Sequence, residues 1–367
     1  MFNNIFKNKK VLVTGHTGFK GGWLSLWLKE LGAIVHGFSN EVYEAPSLFG
    51  VVGLESQIGS HLGDVRDLEK VVSLVREIEP DFIFHLAAQP IVKLAFEQPV
   101  DTFTTNIIGT ANVLEAIRLL DNPCIAVMIT SDKCYDNVEW VWGYKETDAL
   151  GGKDPYSASK GGAELMIKTY YHSYFKTSEN IRIASVRAGN VIGGGDWAAN
   201  RIVPDCFRAW AKGEPVVIRS PYATRPWQHV LEPLSGYLQT AQLLAERIEK
   251  DINGEAYNFG PPADQNYNVL DLLKVLAKNW NPEKNDILKL EPSNFPESGL
   301  LKLNIDKALF DMKWRPTLDF KETAQFTSDW YKAYYQQKND NMFNFTMEQI
   351  RSYSDTATHK NIVWALN

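Results

Sequence analysis

The chain has 367 residues, 44% of them apolar, enough to enclose a substantial core in one large domain or two ordinary ones. A net charge of −6 and a pI near 5.7 provide no long-range attraction for nucleic acid or anionic lipid, so any cations that bind phosphate must be gathered locally. The apolar run after MFNNIFKNKK is too short for a secretory core. No stretch reaches the roughly 18 uninterrupted apolar residues of a membrane span, so a cytoplasmic protein is expected.

Short apolar runs punctuate the first half at Val11 to Val13, Ala33 to Phe38, Phe82 to Leu86, Ile125 to Thr130 and Ile181 to Val186, with longer amphipathic stretches between them. Near-continuous apolar strands are buried on both faces, so this βαβα rhythm predicts an α/β fold, a Rossmann-type doubly wound parallel sheet over residues 1–190. Beyond Gly193 the rhythm gives way to a mixture of Gly, Pro, Trp and Arg, which predicts a smaller, irregular C-terminal substrate-binding domain over 191–340. Strand-like runs at Val230 and at AYNFG, within 228–262, are expected to return to the first sheet. Phe320 to Tyr335 has the spacing of an amphipathic helix, and 341–367 reads as a polar tail.

The first strand runs into Thr14-Gly15-His16-Thr17-Gly18-Phe19-Lys20-Gly21 and then into a helical pattern. Strand, glycine turn and helix in that order suit a dinucleotide, whose pyrophosphate sits on free N–H groups at the helix N-terminus. Gly15, Thr17, Gly18, Phe19 and Gly21 are therefore expected to hold the cofactor. His16 either fixes the turn or touches the ligand. The second strand ends Gly37-Phe38-Ser39-Asn40-Glu41, with Ser39 where an acid would hold the adenosine ribose and no Arg to meet a 2′-phosphate, so NAD is expected rather than NADP.

The run Ile125 to Thr130 ends in Ser131-Asp132-Lys133, which puts a hydroxyl, a carboxylate and an amine at the carboxyl end of a strand. Ser131 is expected to bond a substrate oxygen, with Asp132 and Lys133 as a proton-transfer pair whose closeness tunes both. Tyr156 and Lys160 follow Pro155, four apart on one helix face. An adjacent ammonium favours phenolate and suits Tyr156 to take a proton from a hydroxyl. Tyr334 and Lys338 share that spacing but lie beyond every predicted strand, where a packed surface aromatic is expected.

Arg201, Arg219 and Arg225 in the Pro-rich second half are candidates for a diphosphate. Trp227, Tyr222, His85 and His229 are expected to pack structurally, as are Cys124, Cys134 and Cys206, and no metal site is predicted.

Taken jointly, TGxxGxxG, Asp64-Val65 in GDVRD, Leu86, Ala87, Ala88 and Gln89 in HLAAQ, Asn106 in NIIGT, the Ser131 segment and YxxxK resemble the extended short-chain dehydrogenase/reductase family over nearly the whole chain. The resemblance implies that Asp64, Val65, Leu86, Ala87, Ala88, Asn106, Tyr156 and Lys160 contact NAD. Within the family, acid/base residues directly after the Ser or Thr are similar to those of sugar 4,6-dehydratases, which 4-epimerases generally lack. GHTGFKGGWLSLWL, TSDKCYDN, RAGNVIGGGDW and RPWQHVLEPL look like members that act on CDP-glucose. The implied reaction is C4 oxidation through Tyr156, elimination of water across C5 and C6 with Asp132 as acid and Lys133 as base or enolate stabiliser, and hydride return to C6. Gln89, Asn190, Arg201, Arg219 and Arg225 are implied substrate contacts, and a homodimer through helices flanking Tyr156 is implied as well.

Overall fold

A computed structural model of the chain describes residues 1–42, 46–198, 201–218, 220–247, 251–281, 288–290, 300–337 and 340–366. Seven strands, β1 (Lys10–Thr14), β2 (Ile34–Ser39), β3 (Gly59–Leu62), β4 (Phe82–His85), β5 (Cys124–Ile129), β6 (Ile181–Ala188) and β7 (Ala256–Phe259), form one sheet in the order β7-β6-β5-β4-β1-β2-β3. Every neighbouring pair is parallel. This is the expected doubly wound arrangement, and the strand order reverses between β1 and β4.

Alternation along each strand divides the core into two layers. Val11, Val13, Phe82, Phe84, Val127 and Ile129 face one layer, which also takes in α1 (Phe19–Glu30). Leu12, Ile83, Ala126 and Met128 face the other, with α2 (Leu68–Ile78), α3 (Gly109–Arg118) and α4 (Pro155–Tyr170). Asp154 caps α4 by accepting from the Ser157 N–H at 2.9 Å, with Pro155 in the first turn.

The structure departs from the expected elements at three points. The Val230 run does not join the main sheet: Gln228–His229 pairs with Val191–Ile192 in a separate two-stranded ladder, and the chain then enters α5 (Leu231–Glu246). The apolar residues there recur at helical spacing and are buried nearly all round. The edge strand β3 was not anticipated, because GSHL is half exposed and has no apolar run.

AYNFG does return to the sheet, as β7. The Phe320 to Tyr335 helix, α6 (Phe320–Tyr335), is present and opens with a reciprocal Asp319–Glu322 capping box. The stretch read as a polar tail contains α7 (Met342–His359), which buries Met347, Ile350, Tyr353 and Ala357. Just beyond it, Trp364 stacks on Phe2 at 5.0 Å and meets Trp27 edge-on at 5.6 Å. Its polar look came from the outward face of an amphipathic helix.

Glu232, in the first turn of α5, ties these C-terminal pieces down. It accepts the N–H groups of Thr317 at 2.9 Å and Leu318 at 2.7 Å and the Tyr353 hydroxyl at 3.0 Å. Described residues of the second half, among them Phe207, Leu273, Trp330 and Tyr353, thus share an apolar layer with the first half. Among the described residues no helix is long and apolar enough to cross a membrane.

Candidate active site

The carboxyl ends of β1 and β4 meet at the point where the strand order reverses, the usual ligand crevice of such sheets. Gly15 adopts φ +79°, and a Cβ there would stand 2.9 Å from the Ala87 nitrogen. A Cβ on Gly21 would stand 2.1 Å from the Gly15 carbonyl oxygen, so the turn closes only around bare glycine. Helix α1 starts at Gly18 with no side-chain cap, leaving its first-turn N–H groups and positive dipole end to the crevice. These residues fit the diphosphate of a dinucleotide.

His16 serves the turn itself. Its ring nitrogens engage Ser39 Oγ at 2.9 Å and Ser60 Oγ at 2.8 Å, and burial lowers its pKa to about 4, so it is neutral. Ser39 Oγ also accepts the Thr17 N–H at 3.3 Å, so the hydroxyl that replaces the usual acid fastens the glycine turn to the end of β2.

The other candidate cofactor residues follow the carboxyl ends of β3 and β4 or are joined to them by hydrogen bonds. Thr14 Oγ accepts the N–H groups of Leu86 and Ala87, both at 3.1 Å. Asp64 follows β3 and is held by Arg66, whose guanidinium keeps the carboxyl below its ordinary range. Val65 is buried against Gly109. The Asn106 amide is committed within the protein: it accepts from the Gln89 N–H at 2.8 Å and donates to the Gln89 carbonyl at 3.1 Å and to Ser159 Oγ at 2.8 Å. Gln89, an implied substrate contact, donates its amide to Thr102 Oγ at 2.8 Å.

Beside this crevice two elements bring the acid/base candidates together. Ser131 ends the β5 segment in extended conformation and caps the short turn Asp132–Cys134, accepting the Lys133 N–H at 3.2 Å. Its hydroxyl donates to Asp132 Oδ1 at 2.9 Å, while Asp132 Oδ2 is buried and has no hydrogen-bond partner among the described residues. Burial pushes the Asp132 carboxyl above its ordinary range, against the pull of Lys133, Ser131 and Lys20. A buried carboxyl held towards its neutral form is equipped to give up a proton.

Helix α4 presents Tyr156 and Lys160, both buried, on its inward face. The expectation of a phenol drawn towards phenolate is not met in the protein alone. Burial raises Tyr156 to about 12, and the opposing pull comes from a Ser131 hydrogen bond and the Arg201 guanidinium. Burial also lowers Lys160 to about 8. An apolar pocket disfavours both charged forms until further charge enters it.

Of the remaining substrate candidates, Arg201 lies close enough to act electrostatically on Tyr156 and is held by Asp196 at 2.9 Å. Asn190 is exposed just beyond β6. Arg225 lies in a two-residue ladder against Tyr267–Asn268, next to Pro226, which meets Gly189 beside Asp132. Arg219 and Lys338 lie outside the described residues. Trp227, His85 and His229 are buried, while Tyr222 is exposed.

Lys20 is the residue that spacing alone did not single out. It stands in the first turn of α1, its charge is felt by Asp132, and Arg201 and Lys160 repel it; burial lowers it to about 8. The available signal was a cation inside a phosphate-binding turn, where GxxGxxG assigns no side-chain role.

The chain is similar to known proteins over most of its length. CDP-glucose 4,6-dehydratase of Salmonella typhimurium is 44% identical over 360 residues, covering 97% of this chain and 99% of that protein. The crystal structure of Thermus thermophilus UDP-glucose 4-epimerase in complex with NAD superposes with a TM-score of 0.74 at 26% identity, covering 88% of this chain and 99% of the other. For dTDP-glucose 4,6-dehydratase from Bacillus anthracis in complex with NAD, the TM-score is 0.72 at 18% identity, over 92% and 99% of the two chains, a likeness of fold. A family profile described as GDP-mannose 4,6 dehydratase matches residues 12–327, and the chain belongs to that family, among the NAD-dependent epimerases and dehydratases.

Proposed function

We propose that this protein is a lyase that converts CDP-glucose into CDP-4-keto-6-deoxyglucose with NAD as a recycled cofactor. The observation that carries the reading is the packing of an acid-bearing turn, Ser131-Asp132-Lys133, against the helix that bears Tyr156 and Lys160. The second pair supports oxidation at C4, and the first adds the groups that an elimination needs. The near full-length similarity to CDP-glucose 4,6-dehydratase supports the choice of sugar nucleotide.

Gly15, Thr17, Gly18, Phe19 and Gly21 would hold NAD, which when bound would supply a hydride acceptor for C4 and a hydride donor for C6. Ser131 bonds the 4-oxygen while Tyr156, as a phenolate stabilised by the Lys160 ammonium, takes the 4-hydroxyl proton and becomes the neutral phenol. Oxidation at C4 acidifies C5–H. Lys133 takes that proton and returns it to C5 when hydride reaches C6. Asp132 protonates the 6-oxygen as the C6–O bond breaks, and one water leaves. Arg201 and Arg225 are the described cations assigned to the diphosphate.

The deciding experiment incubates the purified protein with the CDP, dTDP, UDP and GDP derivatives of glucose. The expected result is a 4-keto product lighter by one water, formed fastest from the CDP sugar. An epimer of unchanged mass would overturn dehydration, and a faster reaction with another nucleotide would overturn the base assignment.

We propose also that two copies associate through the helices beside α4. Phe96, Val100, Ile108 and Leu165 are 50–72% exposed there, an apolar set that a second copy would cover. Light scattering reporting a monomer at micromolar concentration would refute this.

A further inference from the structure

A buried network lies beneath the site and takes no part in the chemistry described above. Arg187, on β6, forms a two-pronged pair with Glu164, on α4: Nε to Oε1 and Nη2 to Oε2, each 2.8 Å, with both side chains 3% exposed. Glu164 stands one helical turn beyond Lys160 and two beyond Tyr156, on the same face of α4. It also accepts from the hydroxyl of Thr130 and, at 3.1 Å, from that of Ser185. The third arm of Arg187, Nη1, donates to the Tyr135 hydroxyl at 2.7 Å, and the guanidinium lies 4.9 Å over the Tyr135 ring. The Tyr135 hydroxyl donates a hydrogen bond to Asn258 Oδ1, on β7, at 2.8 Å.

The placement of these contacts is the telling feature. Thr130 is the residue before Ser131, and Tyr135 is the residue after the Asp132–Cys134 turn. The turn that carries the elimination groups is therefore pinned at both ends, at Thr130 by Glu164 and at Tyr135 by Arg187. Both pins lead to one ion pair, and Glu164 is part of the rigid helix that carries Tyr156 and Lys160. Four charge-assisted or neutral hydrogen bonds on one carboxylate, all away from water, leave little freedom for sliding.

We infer that the Glu164–Arg187 pair, with Tyr135 as its arm, is a positioning device that sets the register of the Ser131-Asp132-Lys133 turn against the Tyr156–Lys160 helix, so that a sugar oxidised by one is already aligned for elimination by the other. The inference rests on the roles given to those five residues under the proposed function. Neither Glu164 nor Arg187 touches the sugar; they act through the two elements they join. C4 oxidation uses Ser131 at the head of the turn together with groups on α4, whereas elimination uses Asp132 and Lys133 further along it, so loosening the turn at its Tyr135 end harms the second step more than the first. A misplacement of about 1 Å is enough to cost up to a hundredfold in rate.

The test is Tyr135→Phe, which keeps the ring and the ion pair and removes only the hydroxyl that joins Arg187 to Asn258. In quenched single turnovers with CDP-glucose, followed by mass, the 4-keto hexose that retains its water is expected to form within about twofold of the parent rate. Its conversion to the 4-keto-6-deoxy product is expected to slow by about tenfold or more, so that the intermediate accumulates. Glu164→Gln is expected to shift the partition in the same direction. A folded Tyr135→Phe protein in which both steps are unchanged, or both slow by one factor, overturns the inference, whether or not Glu164→Gln folds. The site assignment is checked separately: if Asp132→Asn and Tyr156→Phe proteins perform both steps at the parent rate, that assignment has failed, whatever Tyr135→Phe does.

Discussion

Gly21 sits directly over the carbonyl of Gly15, with 2.1 Å between the place a Cβ would occupy and the carbonyl oxygen. No rotamer can relieve that overlap, since both partners are backbone. Gly21→Ala is therefore expected to force the turn open and weaken NAD binding by at least about tenfold, with the circular dichroism of the fold retained. Calorimetric titration with NAD checks this, and unchanged affinity would show that the turn is not the binding element.

Tyr156→Phe removes the proton acceptor for the first step. The expected loss in kcat is about a hundredfold to ten-thousandfold, and no oxidised intermediate should build up, because oxidation itself fails. Burial lowers Lys160 to about 8, so its ammonium is present below that pH and lost above it. The rate of C4 oxidation should accordingly fall on the alkaline side, which a pH series of single turnovers would reveal.

Asp132→Asn and Lys133→Ala are expected to retain C4 oxidation and lose elimination, accumulating a 4-keto sugar that keeps its water. Burial raises the Asp132 carboxyl, so its acid form persists to higher pH than that of an ordinary aspartate. Since protonated Asp132 is the donor, elimination should weaken as pH rises through its pKa. If either variant forms the 4-keto-6-deoxy product at an unchanged rate, that residue's role is wrong.

Glu232 makes a prediction about stability. Its ordinary value of 4.5 is raised by burial to about 7, against three hydrogen bonds that favour the charged form. The folded protein thus holds this proton more tightly than the unfolded chain does. The contribution is fully present below about pH 4.5 and is lost as pH rises through about 7, about 3 kcal/mol in all. Glu232→Gln should abolish that share of the pH dependence. Urea denaturation at several pH values between those limits would measure it, and an identical slope in both proteins would exclude Glu232 as its source.

The first half of the fold was readable because parallel strands buried on both faces leave short apolar runs, a signal that the buried start of α5 near Val230 imitated. Strand β3 escaped because an edge strand with one open side needs no such run. Ser131, Asp132, Tyr156 and Lys160 stood out because each is a reactive type at a strand end or helix start. Glu164 and Arg187 did not: they are 23 residues apart on different elements, and only the crossover of α4 back onto the sheet brings them together. Gln89 and Asn106 were readable as members of the crevice, but not as side chains already committed to Thr102 and Ser159. Partners that distant in sequence leave no periodic trace.

The stacking of Trp364 on Phe2 and its edge contact with Trp27 bear on how the chain is assembled during synthesis. Strand β1 and helix α1 leave the ribosome early, yet one flank of their aromatic layer stays bare until residue 364 has been made. Until then that apolar surface lacks the ring that covers it in the finished fold.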